Sequence, residues 1–138
     1  MIRCMGTWDS GPFDNDGASD LVQDARGGPA PAIASALRTC ADAPTGTYLD
    51  VDDGQPAVAA AELVALGFGY GKLDAVPLEI RRIAITLGPN EELRQLALRA
   101  LPRILDRKSS ELAGLWEHDD HFEKSITDLI QRLEEAGD

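Results

Sequence analysis

The chain has 138 residues, of which 43% are hydrophobic and 27% are charged, so its composition is that of one globular domain with a sizeable core. Its net charge of −11 disfavours nucleic acids and anionic membrane surfaces as partners and fits another protein with a basic surface, or no charged partner at all. The sequence has no apolar run suited to a signal peptide or a membrane span, and its two cysteines, Cys4 and Cys40, suit a reducing compartment, so we expect a cytoplasmic protein.

The beginning of the chain predicts an N-terminal arm followed by a helix. We expect residues 1–12 to pack against the domain as an arm, with Met5 as an alternative start to Met1. The helix should run from about Asp14, a good N-cap residue, to Arg26, where Gly-Gly-Pro follows. Its apolar residues recur with the period of a helix: Ala18, Leu21, Val22 and Ala25.

Three aspartates lie on the opposite side of this first predicted helix. Asp16, Asp20 and Asp24 follow one another at intervals of four residues, so they share one face. Because the helix buries its apolar stripe, these carboxylates should point into water. They are either an ordinary solvated face or a surface that binds a basic partner, and we select them as the candidate partner-binding residues.

The middle of the chain predicts two more helices. A helix from about Pro31 to Ala41 has proline at its first position and carries Ile33 and Leu37 on one face. A short extended piece, Tyr48–Val51, should precede a third helix that begins at Asp52 or Asp53 and contains a strongly helix-forming alanine run. A glycine-rich connector, "GFGYGK", follows that helix.

The second half predicts four helices. The first spans about Pro77 to Leu87, and Asn90 then caps a second helix, which Pro102 should kink or divide. Ser109 or Ser110 should cap another short helix. The apolar stripe of the Asn90-capped helix consists of Leu93, Leu96, Ala97, Ala100, Leu101 and Ile104, and the final helix places Phe122, Ile126, Leu129, Ile130 and Leu133 on one face.

These patterns predict an all-α fold: a single-domain bundle, residues 1–138, of about five to seven short helices. A cationic edge, Arg99, Arg103 and Arg107, flanks the Leu93–Ile104 stripe. We interpret it as pairing with acidic neighbours inside the domain, and a recognition strip for an acidic partner is the alternative. The Leu93–Ile104 stripe is also a candidate dimer surface, so the protein is expected to be a monomer or a homodimer.

The segment "EHDDH" is the best candidate for a metal site, although we expect no cofactor. His118 and His121 are spaced so that both could reach one divalent ion such as zinc, with Asp119 or Asp120 adding a carboxylate. An N-cap of the last helix explains the two aspartates equally well. The chain's only two histidines lie here, so this cluster supports the alternative function, a metal-dependent hydrolase.

Other catalytic or ligand-binding patterns fail at their essential positions. Gln23 and Ala60 stand where an EF-hand would need its bidentate glutamate. Leu73 follows the Gly-Lys pair, where a phosphate-binding loop needs serine or threonine. Cys40 lies on the apolar side of its helix, where a thiol is typically inert packing. The sequence therefore provides no catalytic residue, and the protein is more consistent with a non-enzyme.

Two blocks of the sequence resemble a known family. "GTWDSGPFDNDGASDLVQD" resembles the opening signature of the bacterial family catalogued as domain of unknown function 4259, and "YLDVDDGQPAVAAAELVAL" is similar to its second block. Asp9 and Gly17 depart from the residues usual in that family. The resemblance implies a small helical bacterial protein and provides no reaction, cofactor or catalytic residue.

The leading hypothesis is accordingly a non-enzymatic, acidic helical module that binds another protein. Its most concrete version is an immunity- or antitoxin-type partner that covers a basic surface of a bacterial effector. Acidic patches of this kind accelerate association more than they add affinity.

Overall fold

The computed structural model of the chain describes residues 16–44, 47–70, 76–106, 110 and 120–137. Within these ranges the fold is an all-α bundle, as the sequence predicts. The helices are α1 (Asp16–Arg26), α2 (Pro29–Ala41), α3 (Val51–Gly67), α4 (Leu78–Leu87), α5 (Glu91–Leu105) and α6 (Asp120–Ala136). None of them is long and apolar enough to cross a membrane.

Helix α3 lies at the centre of the bundle and packs against the other five described helices. Its alanine run is buried together with the residues that follow, so this helix is apolar around most of its circumference, as a helix enclosed by others must be. Small alanine side chains also let neighbouring helices approach it closely. The buried hydrophobic residues of α3 are Ala57 to Ala61 and Leu63 to Leu66.

The amphipathic helices bury the faces that their periodicity predicts. In α1 the buried residues include Leu21 and Val22, and in α6 they are Ile126, Leu129 and Leu133. The predicted stripe of α5 is buried inside the domain at every position: Leu93, Leu96, Ala97, Ala100, Leu101 and Ile104. That stripe is therefore part of the core, and the prediction that it forms a dimer surface is wrong.

Three predicted boundaries differ from the structure. Helix α2 begins at Pro29 rather than Pro31, because both prolines fit in a first turn, where no backbone N–H is needed. Helix α3 begins at Val51, since Asp50 adopts an extended conformation and its carboxylate accepts a hydrogen bond from the backbone N–H of Asp53 at 3.1 Å. The predicted extended piece reduces to a single parallel bridge between Leu49 and Ser110.

Helix α5 has the predicted cap and is not divided at its proline. Asn90 caps it as predicted, and its side-chain oxygen accepts a hydrogen bond from the backbone N–H of Leu93 at 3.0 Å. Pro102 does not divide the helix, which continues to Leu105. Pro102 is exposed and lies in the last turn, where only one interior hydrogen bond is lost. The predicted arm, Asp14 and the helix after Ser110 lie outside the described residues.

Candidate protein-binding surface

Helix α1 presents its predicted acidic residues on the surface. Asp20 and Asp24 are exposed, whereas Ala18 and Leu21 on the other side of the helix are buried. Asp16 is the first residue of α1, and its side chain lies outside the described part of the structure. Two of the three candidate partner-binding residues are thus placed on one exposed face, one helical turn apart.

A groove runs beside these aspartates, between α1 and α2, and we call it the α1–α2 groove. Its volume is about 450 Å³, and Pro56 of α3 closes one part of it. Most of its described lining is apolar or small. The residues that define it are Asp20, Leu21 and Asp24 of α1 and Ala32, Ser35 and Ala36 of α2. The sequence predicts the two carboxylates, but it does not predict the groove, which depends on how the two helices cross.

The nearest arginine on α1 is engaged elsewhere. Arg26 forms an ion pair with Glu79 of α4, and both side chains are largely exposed. Among the described residues, no ion pair links Asp20 or Asp24 to a cation. Their carboxylates therefore remain available to cations from outside the domain.

The cationic edge of α5 bonds within the domain. Arg99 pairs with Asp42, the C-cap residue of α2. Arg103 donates to the backbone carbonyl oxygens of Cys40, Ala43 and Pro44 at 3.2, 2.8 and 3.2 Å, so it stabilises the C-terminus of α2, where the helix dipole favours a cation. The predicted pairing with an acidic neighbour is confirmed for Arg99, whereas Arg103 bonds backbone oxygens inside the domain instead of an acid, and Arg107 lies outside the described residues.

Helix α6 is attached to the bundle by a second arginine cluster. Arg132 forms a bidentate pair with Glu62 of α3, at 2.7 and 2.9 Å, and also bonds Asp128 and the backbone oxygen of Tyr70. The hydrogen bonds that Arg132 donates to Glu62 raise the pKa of Arg132, so it remains a cation. No local sequence pattern indicates this cluster, since Arg132 and Glu62 are separated by 70 residues.

The only described cysteine is a packing residue. Cys40 is fully buried, and its thiol donates to the backbone oxygen of Asp53 at 3.4 Å. Burial, with a further contribution from the charge of Asp53, raises the pKa of the Cys40 thiol to about 12. The thiol is therefore protonated at neutral pH and is not a reactive nucleophile, as its position on the apolar face predicts.

The candidate metal cluster falls mostly outside the described residues. His118 and Asp119 are not described. Asp120 and His121 form the start of α6, but their side chains are not described. In the part of the chain that the structure does describe, no group of three or more histidine, cysteine or acidic residues could hold a metal ion. The metal hypothesis thus remains a prediction from the sequence.

Comparison with known proteins places the chain in a family. The family model described as "Domain of unknown function (DUF4259)" matches residues 6–127, which is most of the chain and includes both of the blocks noted above. No curated protein and no solved structure matches it. The chain belongs to the family of domain of unknown function 4259.

Proposed function

We propose that this protein is a non-enzymatic, acidic helical module that binds another protein through the exposed face of α1. The observation that carries the proposal is the position of Asp20 and Asp24, which are exposed on one face and have no cationic partner among the described residues. In the sequence, Asp16 precedes Asp20 by four residues, so the helical period predicts that it belongs to the same face. The most concrete form of the proposal is an immunity- or antitoxin-type protein that covers a basic surface of a bacterial protein in the cytoplasm.

Electrostatics supports a basic partner. The net charge of −11 gives the whole chain a negative field, which attracts a cationic partner from a distance. The arginines of α5 that could have neutralised an acidic face instead bond to the end of α2. The exposed carboxylates of α1 should therefore increase the association rate and contribute less to the lifetime of the complex.

Affinity capture followed by mass spectrometry tests the proposal. Wild-type bait is compared with a triple variant, Asp16→Asn, Asp20→Asn and Asp24→Asn, and with a control, Glu92→Gln, Glu134→Gln and Glu135→Gln. The control removes the same charge from exposed residues of α5 and α6. We expect one stoichiometric basic protein with the wild type and the control, and a strong loss with the α1 variant.

Association kinetics with the captured partner then locate the surface. At low ionic strength the α1 variant should associate about tenfold more slowly than the wild type, and the difference should shrink as salt screens the charges. The control should show a smaller decrease. An α1 variant that binds as fast and as tightly as the wild type would show that the surface assignment is wrong. The absence of any partner for all three baits would contradict the proposed function itself.

A further inference from the structure

The α1–α2 groove has the shape and the charge to receive a particular kind of segment. Apart from two aspartates, its described lining consists of small or apolar residues, among them Leu21, Ala32 and Ala36. Its α1 wall carries Asp20 and Asp24. Among the described lining residues there are two carboxylates and no cation, so an occupant with positive charges would be complementary to it.

The spacing of the two carboxylates matches a helix. Asp20 and Asp24 are four residues apart on α1, which places them about one turn, or roughly 6 Å, apart along the groove. Lysine or arginine side chains four residues apart on a second helix have the same spacing. The small residues of α2 allow another helix to come close, since ridges of small side chains leave room for the backbone of the partner.

We infer that the α1–α2 groove binds one amphipathic, basic α-helix of the partner. Two cationic side chains of that helix pair with Asp20 and Asp24, and its small apolar side chains pack against the small and apolar lining of the groove. This inference rests on the proposed function and specifies the partner element that it recognises. The mode is the insertion of an amphipathic helix into a hydrophobic groove, in which apolar anchors provide affinity and flanking charges select orientation.

A probe peptide tests the inference on the full-length protein. The probe is a stapled helical peptide of alanine with lysines four residues apart, and the comparison peptide has the same composition with prolines that prevent a helix. Binding is followed by the backbone amide signals of the protein in NMR. We expect the helical probe to shift signals of α1 and α2 around Asp20, Asp24 and Ser35, and to bind at least tenfold more tightly than the proline peptide.

Filling the groove without changing its charge provides the matched variant. Ser35 is exposed and lines the groove, so Ser35→Leu should obstruct it, whereas Thr39→Leu adds the same side chain one turn further along α2, outside the described lining. We expect Ser35→Leu to weaken binding of the helical probe at least tenfold and Thr39→Leu to leave it nearly unchanged. Thermal unfolding confirms that both variants are folded.

Three results would overturn the inference. They are equal binding of the helical and proline peptides, unchanged binding to Ser35→Leu, and no binding of the helical probe to the wild type. Each is distinguishable from failure of the proposed function, because affinity capture with the α1 variant depends on the aspartates and not on the shape of the occupant. If the partner's binding depends on Asp20 and Asp24 but is unchanged by Ser35→Leu, the proposed function stands and the groove is not the binding site.

Discussion

Arg94 is the one charged side chain that is buried among the described residues, and its bonds explain why the bundle tolerates it. It is 8% exposed and forms a bidentate pair with Glu91, at 2.8 and 2.6 Å. Its remaining terminal nitrogen donates to the backbone oxygen of Leu133 at 2.9 Å, near the end of α6. A buried guanidinium with several acceptors is stable, whereas one that has lost its acceptors is costly. Loss of the Glu91 carboxylate should therefore lower the free energy of unfolding more than loss of another exposed carboxylate.

The pH dependence of stability tests this role of Glu91. The hydrogen bonds from Arg94 and then from Gln95 lower the pKa of Glu91 from 4.5 to about 2. The unfolded chain therefore binds a proton at higher pH than the folded chain, so the contribution of Glu91 is present above pH 4.5 and is lost between pH 4.5 and about 2. We expect Glu91→Gln to lower the urea midpoint most at neutral pH, and the gap from the wild type to close towards pH 2.

Glu92→Gln is the control for this prediction. It removes one negative charge from the same first turn of α5 and leaves the bonds between Glu91 and Arg94 in place. Urea unfolding at several pH values between 2 and 7 should therefore show a smaller loss for Glu92→Gln than for Glu91→Gln at neutral pH. A gap between the wild type and Glu91→Gln that is the same at every pH would contradict the assigned cause.

The C-terminal ends of helices α3 and α4 pack closely against each other. A Cβ atom added to Gly67, the last residue of α3, would lie 2.6 Å from the backbone oxygen of Gly88. Gly88 has a φ of 63°, which favours glycine and ends α4. Because the obstructing atom belongs to the backbone, it cannot move aside as a flexible side chain would. The contact requires glycine at position 67.

Replacing Gly67 by alanine should separate the two helices or distort the end of α4. We expect Gly67→Ala to destabilise the protein by about 1–3 kcal/mol, the usual cost of overpacking, despite the better helix propensity of alanine. Gly27→Ala is the matched control, since a Cβ there would meet only the backbone oxygen of Asp24 at 3.9 Å. Chemical denaturation measures both variants. A Gly67→Ala protein as stable as Gly27→Ala would show that the two helix ends do not pack in this way.

The helices differ in how well the sequence predicts them, and the reason is physical. A helix with one buried face carries a period that is visible in the sequence, so α1, α5 and α6 are predicted with nearly the observed core residues. The start of α3 is not predicted, because three nearby aspartates are all good N-cap residues. Asp50 is the one that caps, directly after Leu49 forms its bridge with Ser110. Such a choice depends on tertiary contacts.

The candidate surface is predictable in part for the same reason. The exposure of Asp20 and Asp24 follows from the helical period, since the opposite face is apolar. The α1–α2 groove is not predictable, because it depends on the packing of three helices. The bonds of Arg99 to Asp42 and of Arg132 to Glu62 join residues 57 and 70 positions apart, which no local pattern indicates. Charge along the sequence thus predicts the acidic surface better than it predicts which cations are neutralised.

For the molecule as a whole, the effect of metals on thermal stability distinguishes the proposed binding module from a metal-dependent hydrolase. A metal that binds the folded chain and not the unfolded chain stabilises the folded state by mass action. At a metal concentration one hundred times Kd the free energy of unfolding increases by about 2.7 kcal/mol, and the melting temperature rises accordingly. If His118, Asp119, Asp120 and His121 form a site, zinc should therefore raise the melting temperature of metal-free protein. The proposed non-enzymatic module predicts no such increase.

Thermal unfolding of metal-free protein with zinc, manganese or nickel provides the measurement. A joint variant, His118→Ala and His121→Ala, is the control, because it removes both imidazoles and keeps every carboxylate. We expect the wild type and the variant to respond equally to each metal, since exposed carboxylates on a chain of net charge −11 attract divalent ions only weakly and without selectivity. A zinc-induced increase seen in the wild type and abolished in the variant would favour the hydrolase. That result would direct attention from α1 to the start of α6.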